Sequence, residues 1–335
     1  MKTIPGAGHN RLTRRGLLAA AVAAPMLKDR AAVAETYPRK PIRIVLPGPA
    51  GGIIDIAIRS LSDVLISDLG QQLVIDPRPG GNGVVAGQVL VAAPPDGYTL
   101  ELTVSAQLAF PFLMKMPFDV MADFTPIAMA GVATAIVCVA KDLPVDNLAQ
   151  LVEFARANPG KLNYLNPANG TGGHLIMEQI KIAHKVDLTS ISYKGLPAGI
   201  PDLLAQRIQI GVVSTPIILQ HAMSGAVKPI AIVGNRRMRE LANVATMVEQ
   251  GFGDNEVRSA LPLYGPKGTP AAIVDRLNGA VRKALDTPEV QARLAAAYID
   301  PMPMTVAEVT TWLGQEHARL GKLIQQLGIK ADGAG

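Results

Sequence analysis

From residue 42 onward, short apolar runs alternate with apolar stripes at helical spacing. Ile42-Arg43-Ile44-Val45-Leu46 is β-rich and stops at Pro47-Gly48-Pro49-Ala50-Gly51-Gly52. Beyond that turn, Ile54, Ile58, Leu61 and Leu65 recur with the helical period, giving strand, Gly-rich turn, helix. The unit repeats. Residues 73–75 lead into Pro77-Arg78-Pro79-Gly80-Gly81-Asn82-Gly83 and a helix over 84–92. Residues 98–104 form the next strand, and 127–129 and 135–140 read as longer, crossing strands.

A second set follows. Asp146 is placed to cap a helix that runs to Ala157, where Asn158-Pro159-Gly160 breaks it. Strand 162–165 enters Asn166-Pro167-Ala168-Asn169-Gly170-Thr171-Gly172-Gly173, and a helix begins near His174. Strand 189–193 enters Lys194-Gly195-Leu196-Pro197, followed by a helix over 198–205, and strands 208–213 and 229–233 complete the set. Pro270 at a first helical position opens one C-terminal helix and Thr287-Pro288 the next. Thr305-Val306-Ala307-Glu308 is a capping box for a last helix ending at Gly328.

Alternating β and α elements predict an α/β protein whose parallel sheets are covered by helices. Two such sets joined by the strands at 135–140 and 258–264 predict two lobes, each with a central β-sheet flanked by helices, linked by two crossover strands. The predicted boundaries are 35–133 for the first part of lobe 1, 134–256 for lobe 2, 257–330 for the return to lobe 1 with the C-terminal helices, and 331–335 for a tail.

Composition changes the picture at the N-terminus. The chain has 335 residues, 49% of them hydrophobic and 18% charged, which argues against disorder. The net charge of +5 lies wholly in residues 1–34, where Lys2, Arg11, Arg14, Arg15, Lys28 and Arg30 face only Asp29. The rest balances, leaving no global footprint for nucleic acid or an anionic membrane. Arg14-Arg15 precedes an apolar stretch over 16–27 that is too short to span a bilayer, and Ala32-Val33-Ala34 suits a signal peptidase. Residues 1–34 are therefore predicted to be a signal peptide of twin-arginine type, and the mature chain to be a soluble periplasmic protein. The lone Cys138 excludes an intrachain disulfide.

No GxSxG, HExxH or GxxxxGK[ST] motif is present. Gly81-Asn82-Gly83-Val84-Val85-Ala86 fits GxGxxA, but it lies in the second unit and not directly after the first strand, where a dinucleotide site needs it. His184 and His317 read as surface residues. Neither catalysis, a cofactor nor a metal is expected. What the chain offers is four turns of one kind, at 47–52, 80–83, 169–173 and 194–197. Each leaves backbone N–H groups free at a helix N-terminus, where the dipole favours an anion. Facing one another across two lobes, they suit a carboxylate or phosphate.

Ile44-Val45-Leu46-Pro47-Gly48-Pro49-Ala50-Gly51-Gly52-Ile53-Ile54-Asp55 resembles the first loop of the tripartite tricarboxylate transporter substrate-binding proteins, the Bug receptors. Arg78-Pro79-Gly80-Gly81-Asn82-Gly83 followed by Pro94-Pro95-Asp96-Gly97-Tyr98-Thr99-Leu100 is similar to their RPGxxG…PDGYTLL signature. Further matches are Met116-Pro117-Phe118-Asp119, Asp123-Phe124-Thr125-Pro126-Ile127, Ala157-Asn158-Pro159-Gly160-Lys161-Leu162-Asn163-Tyr164, Asn169-Gly170-Thr171-Gly172-Gly173-His174-Leu175, Tyr193-Lys194-Gly195 and Gly265-Pro266-Lys267-Gly268-Thr269-Pro270. They run in order along essentially the whole mature chain. The resemblance implies a type II periplasmic binding-protein fold that closes on a small organic acid, and as partners the membrane subunits of a secondary transporter. A monomer is expected.

Carried over residue by residue, the resemblance makes Pro47, Gly48, Ala50, Gly51, Gly52 and Asp55 the first anion-binding loop. Asn169, Gly170, Thr171, Gly172 and His174 become the opposing pocket, with the Thr171 hydroxyl and N–H as donors. His174 either binds there or fixes the loop. Tyr193 and Lys194 line or support the cleft, unless Lys194 is wholly solvated. Ser105, Ser214 and Thr215 are further candidates. Gly48 stands where relatives carry an aromatic, Ile53-Ile54 replaces a small polar pair, and Ser105-Ala106-Gln107 lacks a Ser-Ser-x-His pattern. The pocket thus favours a less polar mono- or dicarboxylate, aromatic or aliphatic. A receptor serving a signalling partner would carry the same pocket, and a periplasmic enzyme would need a catalytic cluster that the motifs do not supply.

Overall fold

The computed structural model describes residues 37–234, 236–253 and 259–329. The predicted signal peptide and tail lie outside them. Among the described residues the strands form two sheets, the first of six strands and the second of five. In the first, β1 (Ile42–Leu46) pairs in parallel with β2 (Leu73–Pro77) and β3 (Thr99–Leu102). Strand β10 (Ser259–Pro266) then runs antiparallel between β3 and β4 (Phe124–Ala133), and β11 (Ile299–Asp300) adds to the edge of β4. In the second, β6 (Leu162–Asn166) lies parallel between β7 (Leu188–Ser192) and β8 (Ile210–Ser214). Strand β5 (Ala135–Ala140) runs antiparallel between β8 and β9 (Val227–Ile232).

The chain changes sheet at Thr134, the single residue between β4 and β5. Its carbonyl accepts from both the N–H and the hydroxyl of Thr215, each at 3.0 Å, and its own N–H donates to Tyr298 O at 3.2 Å. Both lobes thus grip one residue at the crossing.

Helix α1 (Ile53–Leu69) buries Ile54, Ile58, Leu61 and Leu65, the stripe its sequence spacing predicts, and stops at Gly70, whose left-handed backbone closes it. Helix α2 (Val84–Val91) follows β2, a 3-10 helix spans Ser105–Phe112, and α3 (Val120–Asp123) precedes β4. Helices α4 (Leu148–Ala157), α5 (Gly172–His184), α6 (Leu196–Leu204) and α7 (Thr215–Met223) cover the second sheet. The chain returns through α8 (Ala271–Leu285), α9 (Pro288–Ala296) and α10 (Val306–Leu327), the last opened by the predicted Thr305–Glu308 capping box. Val309, Leu313, Leu320 and Ile324 of α10 share one core with Leu108 and Leu113 of the first lobe and Leu175 and Ile176 of the second. Among the described residues no helix is long and apolar enough to cross a membrane.

Several boundaries differ from the sequence reading, each for a local reason. Asn147, not Asp146, caps α4, its side chain accepting from Gln150 N at 2.9 Å. Pro270 is the residue before α8 and not its first. Helix α5 begins at Gly172, because the turn at Thr171 already orients its first N–H groups. Helix α7 was not predicted: Thr215-Pro216 starts it without a glycine break after the strand. His184 and His317 are half-buried, not free on the surface. His184 packs on Phe252, and His317 packs on Phe112 with Nδ1 3.0 Å from Leu108 O.

Candidate functional site

A cavity of about 920 Å³ lies between the sheets, lined by the turns after β1, β2, β6 and β7, by the β4–β5 crossing and, after β9, by Val233, Gly234 and residues 236–240. Five helices begin on its wall. The residues that precede α1, α2, α5, α6 and α7 are Gly52, Gly83, Thr171, Gly195 and Ser214, and all five line the cavity. None offers a side-chain cap to its helix. Helices α3, α4, α9 and α10, which start elsewhere, are capped by Asp119, Asn147, Thr287 and Thr305; α8, opened by Pro270, is the exception. Uncapped first turns present N–H groups without intrahelical acceptors, and the helix dipole adds about half a positive charge at each N-terminus. Helices α1 and α5 offer the most donors, since Val84 N of α2 donates to Gly81 O, Thr215 N of α7 to Thr134 O, and Pro197 of α6 and Pro216 of α7 have no N–H. Here that potential converges on the cleft from both lobes.

The side chains agree in sign. The lining includes Lys194, Arg236, Arg237 and Arg239 against Glu240 and Asp300. Arg237 is paired, with Nε 2.9 Å from both Glu249 oxygens and Nη1 2.9 Å from Ala242 O. Arg236 reaches Asp300 at 3.3 Å and Arg239 reaches Glu240 at 3.6 Å. Lys194 has no ion pair among the described residues. Between the poles the wall is apolar, with Ile53, Ile54, Val104, Phe110, Ile176, Ile217 and Met238. The site can hold an anionic head against backbone donors and an apolar body between the lobes.

Residues 57–329 match the tripartite tricarboxylate transporter family receptor. The chain belongs to this family. A protein of Cupriavidus necator, "UPF0065 protein in gbd 5'region", is 31% identical over 320 residues, 95% of this chain and 97% of its relative. Among solved structures, R. palustris Rpa4515 with adipate is similar at TM-score 0.84 and 29% identity, over 88% of this chain and 99% of that one. The periplasmic binding protein BugD is similar at TM-score 0.82 and 28% identity, over 88% and 100%. The chain is thus a solute-binding receptor of mixed α/β, two-sheet architecture and not an enzyme.

Within this receptor frame, the predicted residues separate into those that line the cleft and those that hold the lining in place. Pro47, Gly48, Gly52, Thr171, Gly172, Tyr193, Lys194 and Ser214 line it. The others stand behind. Ala50 and Gly51 are on the exposed outer side of their turn. Asp55, buried, accepts from Gly51 N at 3.0 Å and from Arg59 Nε at 2.9 Å. Ser105 Oγ accepts from Ala260 N at 3.2 Å, tying the 3-10 helix to β10. Thr215 holds the crossing residue Thr134. Asn169 Oδ1 accepts from Asn166 Nδ2 at 2.8 Å, and His174 Nδ1 accepts from Gly170 N at 3.2 Å, so His174 fixes the loop.

Thr171 lines the cleft, but its donors are engaged elsewhere. Its hydroxyl donates to Ala168 O at 2.8 Å and its N–H to the same carbonyl at 3.2 Å. The donors left at this pole are the N–H groups of the first turn of α5. Tyr193 is likewise committed: its hydroxyl donates to Asp202 at 2.7 Å, and burial, reinforced by that carboxylate, pushes its pKa up to about 12.

Two features escaped the sequence reading. Asn166, fully buried at the end of β6, donates to Asn169 and Ser190 and accepts from Ala168 N at 3.1 Å, so one side chain shapes the whole turn. The Arg236–Arg239 stretch was visible as three arginines in four positions, but balancing charge over the whole chain concealed it.

Proposed function

We propose that this chain captures a small organic carboxylate in the cleft and delivers it to the membrane subunits of a tripartite tricarboxylate-type transporter. The observation that carries this reading is the set of five uncapped helix N-termini converging on one cavity from both sheets. Charged hydrogen bonds contribute about 1.5–3 kcal/mol each, so a few backbone donors suffice for micromolar binding. The adipate held by the similar Rpa4515 supports a carboxylate. Ile53, Ile54 and Phe110 favour an aliphatic or aromatic body over a hydroxyl-rich acid. The protein acts as a periplasmic monomer, with lobe boundaries near 134 and 257, and Arg14-Arg15 directs it to the twin-arginine route. Lysine at both positions should then leave precursor in the cytoplasm.

The test is a thermal-shift screen with adipate, longer diacids and aromatic monoacids, followed by calorimetry. A ligand at 100 times its Kd should add about 2.7 kcal/mol of stability. A shift with neutral or cationic solutes and none with any acid would refute the reading.

A further inference from the structure

Glu101 on β3 is fully buried, and its Oε1 accepts from Gln107 Nε2 at 2.9 Å. The other oxygens of this pair, Glu101 Oε2 and Gln107 Oε1, are also buried and neither has a hydrogen-bond partner. Two orphan acceptors on side chains already joined by one hydrogen bond lack a proton between them. A carboxylate cannot supply it, whereas a carboxylic acid can. We propose that Glu101 is a protonated positioning residue, its Oε2–H donating to Gln107 Oε1 and closing an acid–amide ring that anchors the Ser105–Phe112 helix to the first sheet.

The surroundings favour the neutral acid. Burial pushes the Glu101 carboxyl up to about 8, opposed only by the Gln107 hydrogen bond. Its register partner on β10 is Tyr264, a buried phenol itself raised by burial. On β1 the partner is Val45, and Arg43, two residues along the same face, is held by Asp76 of β2. Helix α2 brings no titratable side chain. On α10, His317 meets the anchored helix at Leu108 O, and Glu316 is paired with Arg319.

The anchored helix positions much of the receptor. Ala106 and Phe110 line the cleft, and Ala109, Phe110 and Leu113 lie against Gly170 of the opposite lobe. An ionised Glu101 would leave a desolvated charge under this wall and remove one of its two hydrogen bonds to Gln107.

Infrared difference spectra of the purified protein between about pH 6.5 and 9.5 should show loss of a carboxylic-acid carbonyl band above the amide envelope. The band should be absent from Glu101→Gln and shifted to higher frequency in Gln107→Met, where the acid has lost its acceptor. Glu101→Gln keeps both hydrogen bonds, because its amide donates to Gln107 Oε1. The unfolded carboxyl titrates near its ordinary value and the folded one well above it, so wild-type stability falls as pH rises through the interval between them. The melting temperature of Glu101→Gln should therefore gain on wild type by at least about 5 °C between pH 5 and pH 8.5. A wild-type spectrum without the acid band, or a constant offset from pH 5 to 9, overturns the proposal. If Glu101→Gln fails to fold, the wild-type and Gln107→Met spectra decide it.

Discussion

Pro49 and Gly195 meet across the mouth of the cleft: a Cβ built on Gly195 would lie 3.1 Å from Pro49 Cδ. One follows β1 and the other β7, so loops of the two lobes touch here. Gly195 also holds φ +93°, a region that side chains disfavour. Gly195→Val should weaken binding of the acid found by screening at least tenfold, about 1.4 kcal/mol, with the circular dichroism spectrum unchanged. Scattering should show the wild-type radius of gyration contracting on adding that acid and the variant contracting less. Equal affinity in the variant would mean that the lips stay apart in the bound state.

Gly51 and Gly170 share positive φ values, +75° and +83°, but not surroundings. A Cβ on Gly51 meets nothing within 4 Å, whereas one on Gly170 would lie 2.6 Å from Leu113 Cδ1 in the other lobe. Gly51→Ala should therefore cost only backbone strain, about 1–2 kcal/mol. Gly170→Ala should cost more, roughly 2–4 kcal/mol, because Leu113 must move as well. Urea denaturation of both variants gives the order; the reverse order would contradict the packing described.

Asp55 braces the first loop from behind, and its two partners are unequal. The Gly51 N–H is part of the turn, but Arg59 is more than half exposed. Asp55→Ala should cost about 1–3 kcal/mol, since it leaves the loop N–H unsatisfied, and should lower ligand affinity. Arg59→Ala should cost under about 1 kcal/mol, as expected of a solvated partner. Calorimetry and denaturation on the two variants test this; a larger affinity loss from Arg59→Ala would make the arginine, and not the loop backbone, the anion's partner.

The alternation of elements is legible because short β-rich runs such as Ile42-Arg43-Ile44-Val45-Leu46 end at Gly- or Pro-rich turns and α1 carries a clean stripe at 54, 58, 61 and 65. The Gly-rich turns were legible too, and with them the cleft residues Gly48, Gly52 and Gly172. Less visible was the direction of each hydrogen bond. Thr171 and Tyr193 are polar side chains in the right place, yet their donors turn to Ala168 and Asp202. Arg236 and Arg239 reach the cleft only because the chain passes it after β9, a long-range placement with no local signature. Helix α7 leaves no such mark, because Thr215-Pro216 opens it directly from β8 with no glycine turn between.

Asp68, at the end of α1, clamps α8 to the first lobe. Its carboxylate accepts from Lys283 Nζ and Arg276 Nη1, each at 2.6 Å, and its carbonyl from Arg276 Nη2 at 2.7 Å. These hydrogen bonds, Lys283 first and Arg276 next, hold the Asp68 carboxyl below its ordinary range. The folded protein therefore binds this proton less readily than the unfolded chain, whose aspartates titrate near 3.9. The stabilisation is complete above about pH 5 and is lost as pH falls through and below that ordinary value. Asp68→Asn should destabilise by roughly 1–3 kcal/mol at pH 7, and the gap from wild type should narrow steadily from about pH 4 downward. Lys283 is 69% exposed and Arg276 31%, so Arg276→Ala should cost more than Lys283→Ala. Urea midpoints at pH 7, 5 and 3 decide the matter: an Asp68→Asn gap that stays constant with pH would show that the clamp acts through packing and not through charge.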